Sequence, residues 1–175
     1  MYIPTYETQL RPKTKQSGAT FTLGLPASEA QSVDLKTKQG EVVEDSIIEQ
    51  TTRILVMDDE EMICKFLTEI LEGYGLSVSI ALDGKQAIEI YKQSLVEGNP
   101  FDAIILDLTI PEGMGGKEAV KELLKIDPKV KCIVSSGYSN DPVMANYDEY
   151  GFKANMTKPY FPNKLLEVLS QVLKE

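Results

Sequence analysis

From Thr51 onward the sequence predicts an α/β fold, a doubly wound parallel sheet of five strands with helices on both faces. Two observations carry the prediction. Short apolar runs alternate five times with segments whose apolar residues recur at helical spacing, the pattern of parallel strands joined by crossover helices. The middle run, Ala103-Ile104-Ile105-Leu106, has no polar break, as a strand buried on both faces requires.

The first strand is Arg53–Met57. A helix follows in which Ile63, Phe66, Leu67, Ile70 and Leu71 repeat at helical spacing, with Gly73 as its stop. Residues 76–81 alternate as the second strand. Asp83-Gly84-Lys85-Gln86 reads as a capping-box-like start for a helix that carries Ala87, Ile88, Tyr91 and Leu95 and closes at Gly98. After the Asp107 strand, Pro111 and the glycines of 113–116 force a loop, short and expected to be mobile. The next helix presents Ala119, Val120, Leu123 and Leu124 and stops before Pro128. Residues 130–135 form the fourth strand. Asp141 and Pro142 supply the N-cap and first turn of a helix ending near Gly151. Residues 152–157 are a short fifth strand, and the last helix buries Leu165, Leu166, Leu169, Val172 and Leu173.

The polar residues collect at one edge of this sheet. Strand one runs into Asp58-Asp59-Glu60-Glu61, strand three ends in Asp107, strand four in Ser135-Ser136-Gly137, and strand five in Lys158-Pro159. In open α/β sheets the carboxyl ends of the strands are where ligands bind. Each piece alone has an ordinary reading. Asp107 could be a cap or turn residue, residues 58–61 an acidic helix N-terminus favoured by the dipole, Lys158 a solvated turn lysine, and the serines strand-end caps. Gathered at one edge, they read differently. Crowded carboxylates raise one another's pKa, so the cluster calls for a cation. Oxygen ligands alone make that cation hard, and Mg2+ is the usual one.

Composition narrows the classes of function. The 175 residues carry a net charge of −9, which argues against nucleic-acid binding. There is no histidine, so histidine metal sites, histidine-assisted nucleophiles and phosphohistidine chemistry are excluded within this chain. No apolar run approaches the roughly 20 residues of a membrane helix. The amino terminus lacks a basic-then-apolar signal pattern. Cys64 and Cys132 sit in core-like patterns, which fits a reducing cytoplasm.

Residues 1–50 differ from the rest. Thr, Ser, Gln, Lys, Glu and Pro dominate, and the sparse apolar residues predict a mostly flexible segment and linker. One island within residues 17–27 alternates as a half-buried strand, with Phe21, Leu23 and Leu25 on one side. It resembles the last strand of the histidine-kinase ATP-binding domain, where a similar run ends in Leu-Pro. The glycine-rich nucleotide boxes of that domain are absent upstream, so this remnant is expected not to bind ATP.

Residues 51–175 resemble a response-regulator receiver domain. The resemblance rests on the acidic pair Asp58-Asp59, the run Asp107-Leu108-Thr109-Ile110-Pro111, Ser136 followed by the small Gly137, and Lys158-Pro159, all in order. It implies the flavodoxin-like, CheY-like strand order 2-1-3-4-5 and phosphorylation of Asp107. It also implies a Mg2+ ion held by Asp58, Asp59, Asp107 and the backbone carbonyl of Thr109. Lys158 would pair with Asp107 and then with a phosphoryl oxygen, and the Ser136 hydroxyl would donate to another. Ser136 is chosen over Ser135 because Gly137 follows it.

The implied donor is a histidine kinase or a histidine phosphotransfer protein. Such a chain accepts a phosphoryl group and slowly loses it, with no substrate turnover. An aspartyl phosphohydrolase on a similar sheet would want a carboxylate two residues after the nucleophile, where this chain has Thr109. A pseudo-receiver, a binding module that does not use phosphate, is the alternative. With no output domain expected after the last helix, a downstream protein would read the state. The face of the last helix and fifth strand is the place for that reader or for a phosphorylation-dependent homodimer. The kinase-like island points to origin as the carboxyl end of a hybrid histidine kinase. One departure stands out: Asn155 occupies the position, three before the lysine, where the family usually has an aromatic switch residue.

Overall fold

A computed structural model describes residues 52–174. The expectations for residues 1–50, including the kinase-like strand at 17–27, lie outside the described residues.

Five parallel strands form one sheet in the order β2-β1-β3-β4-β5. They are β1 (Arg53–Met57), β2 (Ser77–Ala81), β3 (Ala103–Asp107), β4 (Cys132–Ser136) and β5 (Ala154–Thr157). The connecting helices are α1 (Glu61–Gly73), α2 (Gly84–Val96), α3 (Gly116–Ile126), α4 (Pro142–Ala145) and α5 (Pro162–Lys174). Among the described residues no helix is long and apolar enough to cross a membrane.

Strand parity sorts the core into two layers. Ile54, Val56, Ala103, Ile105 and Ile133 face Leu67 and Leu71 of α1 and Leu165, Leu169 and Val172 of α5. Leu55, Met57, Ile104, Leu106, Cys132 and Val134 face Ala87 and Tyr91 of α2, Val120 and Leu123 of α3, and Met144 of α4. Both faces of β1 and β3 are therefore dry, which is why those strands read as unbroken apolar runs. Both cysteines are buried free thiols.

Several boundaries differ from the sequence expectation. The first helix does end at Gly73, but the left-handed residue that turns the chain is Gly75, at φ 83°. Phe66, in phase with the apolar stripe, stays 40% exposed. The helix expected to run from Pro142 to Gly151 breaks after Ala145. Asn146, at φ −124° and ψ 41°, is not helical, and a 3-10 turn at Tyr147–Tyr150 completes the connection before Gly151 at φ 92°. The glycines after Pro111, expected as a source of mobility, have a packing reason. A Cβ on Gly115 would lie 2.5 Å from the Leu108 carbonyl oxygen, and one on Gly116 would lie 2.7 Å from that of Asp107. They let the start of α3 press against the end of β3.

Capping follows the sequence. Asp83 accepts the Gln86 N–H at 2.8 Å, and Gln86 Oε1 accepts the Leu82 N–H at 2.6 Å, a reciprocal pair one residue wider than the usual box. Asp141 caps α4 by accepting the Val143 N–H at 2.8 Å.

Candidate phosphoacceptor and metal site

The ends of β1, β3, β4 and β5 converge at the carboxyl edge of the sheet. Asp107 is the last residue of β3 and is paired in register with Ser135 of β4. It is buried. Asp58 follows β1 directly, is 1% exposed, and accepts the Glu60 N–H at 3.0 Å through Oδ1. Asp59 points outward and is exposed. Carboxylate oxygens of Asp58, Asp59 and Asp107 all lie within 4.8 Å of one another.

Lys158 reaches this group from the end of β5. Its Nζ is 2.7 Å from Asp58 Oδ2 and 3.2 Å from Asp107 Oδ2. Glu60 Oε1 lies 3.5 Å away on the outer side. Burial works against the Lys158 ammonium, but the Asp58 and Asp107 carboxylates outweigh it and hold the lysine protonated above its usual range. Asp107 is pushed up to about 6, chiefly by burial, with Lys158 pulling it down and Asp58 adding to the rise. One ammonium thus serves a set of carboxylates that outnumber it.

A hard cation fits the donor set. All ligand atoms on offer are oxygens, and Asp58 Oδ2 is the buried side-chain oxygen without a hydrogen-bond partner among the described residues. The Lys158 contact to it is close but is a charge contact without hydrogen-bond alignment. Thr109 lies in the exposed loop two residues after Asp107. Beside Asp59 opens a cleft of about 380 Å³, lined also by Leu82, Asp83, Ile110 and Glu112.

The two serines of β4 separate by parity. Ser135 shares a hydrogen bond with the Tyr160 hydroxyl inside the core. Burial pushes that tyrosine up to about 12, so it stays a phenol. Ser136 lies on the opposite parity and is buried. Its Oγ accepts the Tyr138 N–H at 3.0 Å, and its carbonyl accepts the Lys158 N–H at 2.9 Å. Among the described residues its Oγ makes no hydrogen bond to Asp107, which leaves its hydroxyl proton to give.

Three partners were not anticipated from sequence. Glu60 was read only as part of an acidic run. Tyr160, two residues after Lys158, occupies Ser135 with its hydroxyl. Asn155 donates Nδ2–H to the Met144 carbonyl at 2.8 Å, tying β5 to α4. A polar residue at an otherwise apolar strand position was the available signal for that last contact.

The family model for the response regulator receiver domain matches residues 54–170. The chain belongs to the response regulator receiver family. A chemotaxis protein CheY from Thermotoga maritima is 35% identical over 123 residues, covering 70% of this chain and 98% of that protein. Sensor kinase CckA from Brucella abortus is 26% identical over 165 residues, which span 90% of this chain but 17% of the kinase. Among solved structures, a CheX–CheY–BeF3–Mg2+ complex from Borrelia burgdorferi superposes with a TM-score of 0.63. It is 25% identical and covers 69% of this chain and 88% of that one. The receiver has the strand order of this CheY-like fold, and it is a domain of two-component signalling.

Proposed function

We propose that Asp107 of this receiver accepts a phosphoryl group, in a Mg2+-dependent reaction, from the phosphohistidine of a histidine kinase or phosphotransfer protein. The observation that carries the reading is the position of Lys158, whose ammonium sits between Asp58 and Asp107 at 2.7 and 3.2 Å. A buried carboxylate beside a fixed cation is a nucleophile with its counter-charge already in place.

Asp58, Asp59, Asp107 and the Thr109 carbonyl would hold the ion, which supplies charge neutralisation for the phosphoryl oxygens. A carboxylate oxygen of Asp107, at the end of the buried strand, forms the new P–O bond as the donor's P–N bond breaks and its imidazole leaves with the electron pair. Lys158 turns from the carboxylates to a phosphoryl oxygen. Ser136 donates its hydroxyl proton to another. The aspartyl phosphate then hydrolyses as a timer, and a downstream protein reads it.

Residues 51–175 form the receiver in this reading, with 1–50 as the preceding segment and linker. The CckA alignment supports descent from a hybrid sensor kinase, because it extends well beyond the 123 residues matched by the chemotaxis protein.

The test is intact-protein mass after incubation with acetyl phosphate and Mg2+. Wild type is expected to gain one phosphate, and Asp107→Asn or EDTA treatment to abolish it. A wild type that neither binds Mg2+ nor gains mass would overturn the reading.

A further inference from the structure

One charged group at the mouth of the site has no part in the chemistry above. Glu60 stands at the N-cap position of α1, and its side chain makes no capping bond. Its Oε1 is 3.5 Å from Lys158 Nζ. The Glu60 side chain is 63% exposed, against 1% for Asp58 and 7% for Asp107. Of the three carboxylates around Lys158, it is the one on the solvent side.

Glu60 is therefore the carboxylate that an anion approaching Lys158 from solvent meets first. The phosphoryl group is an anion, and one of its oxygens must take the Lys158 ammonium. Glu60 opposes both events. Its charge repels the donor at the mouth, and its carboxylate already lies against the cation.

We propose that Glu60 is a positioning residue that competes with the incoming phosphoryl group for Lys158 and slows phosphorylation by small anionic donors. The proposal rests on Asp107 as the phosphoacceptor. In the step itself, with acetyl phosphate, an Asp107 carboxylate oxygen forms the new P–O bond. The P–O bond to the acetyl group breaks, and acetate leaves with the electron pair. Glu60 makes no bond to phosphorus. It sets how often the anion arrives and how freely Lys158 turns to meet it.

The experiment measures the second-order rate constant for phosphorylation by acetyl phosphate at saturating Mg2+, read by intact mass from low to high salt. Wild type, Glu60→Gln and Glu60→Asp are compared, with a Mg2+-induced thermal shift to confirm that each variant is folded. Glu60→Gln is expected to react roughly threefold to tenfold faster than wild type at low salt, the gain fading as salt screens the charge. Glu60→Asp, which keeps the charge, should return close to the wild-type rate. A Glu60→Gln rate equal to or below wild type, or a gain indifferent to salt, would overturn the role of Glu60 alone. Absence of any adduct on wild type and variant alike would instead remove the phosphoacceptor reading, and this proposal with it.

Discussion

Lys158 lies nearer to Asp58 than to Asp107, with its ammonium 2.7 Å from the first and 3.2 Å from the second. The lysine is therefore the internal counter-ion of the whole acidic edge rather than the private partner of one aspartate. A cation that binds the same carboxylates shares that task.

Removing the lysine should expose this arrangement. Lys158→Ala leaves two buried carboxylates without their cation, and loss of one partner from a buried pair costs about 3–5 kcal/mol. Urea unfolding without metal should show a loss of that order, and Mg2+ should recover more stability in the variant than in wild type. Equal Mg2+ stabilisation of the two proteins would contradict the counter-ion role.

Asp107 gives a pH dependence with a definite sign. Its folded pKa of about 6 lies above the ordinary 3.8, so protonation favours the folded state. The stabilising contribution is complete below about 3.8 and is lost as pH rises through about 6. Metal-free Asp107→Asn, which stays uncharged, should therefore be more stable than wild type at pH 7.5 by about 1–2 kcal/mol. The difference should vanish near pH 4, measured by denaturant unfolding of both proteins at each pH.

The Ser135–Tyr160 hydrogen bond links the end of β4 to the segment before α5. Ser135→Ala and Tyr160→Phe should each cost about 1 kcal/mol, and the double variant should cost less than the two combined. A double-mutant cycle by urea unfolding measures the coupling. Ser136→Ala, which removes the acceptor of the Tyr138 N–H, should cost about 1 kcal/mol as well but also slow phosphorylation, and that second effect separates the neighbouring hydroxyls.

Gly116 tests the close approach at the head of α3. A methyl there would sit 2.7 Å from the Asp107 carbonyl oxygen, a backbone atom that cannot swing aside. Gly116→Ala should lower stability by about 1–3 kcal/mol and weaken Mg2+ binding, because the strand end that carries Asp107 has to shift. Thermal melts with and without Mg2+ report both effects.

Most of the fold was legible because it is written in local pattern. The apolar run of β3 and the helical stripes of α1 and α5 are periodicities of neighbouring residues, and they survive into the structure. The break at Asn146 was not legible. Asp141-Pro142 signals where α4 starts, but no Pro or Gly marks its end, and the backbone there follows contacts with β5, among them the Asn155 bond to Met144. The glycines after Pro111 look like slack in the sequence because composition alone does not show what a Cβ would strike.

The site divides in the same way. The sequence alone determined that Asp58, Asp59, Asp107, Ser136 and Lys158 fall at strand ends on one edge, because parallel strands joined by crossover helices all point the same way. The small Gly137 that follows it singled out Ser136 over Ser135. Only the tertiary structure decided which groups share Lys158, that Tyr160 takes Ser135, and that Glu60 stands over the entrance. Those contacts join residues 25 to about 100 positions apart. They depend on sheet register and on the reach of long side chains across it, and neither is encoded in any local period of the chain.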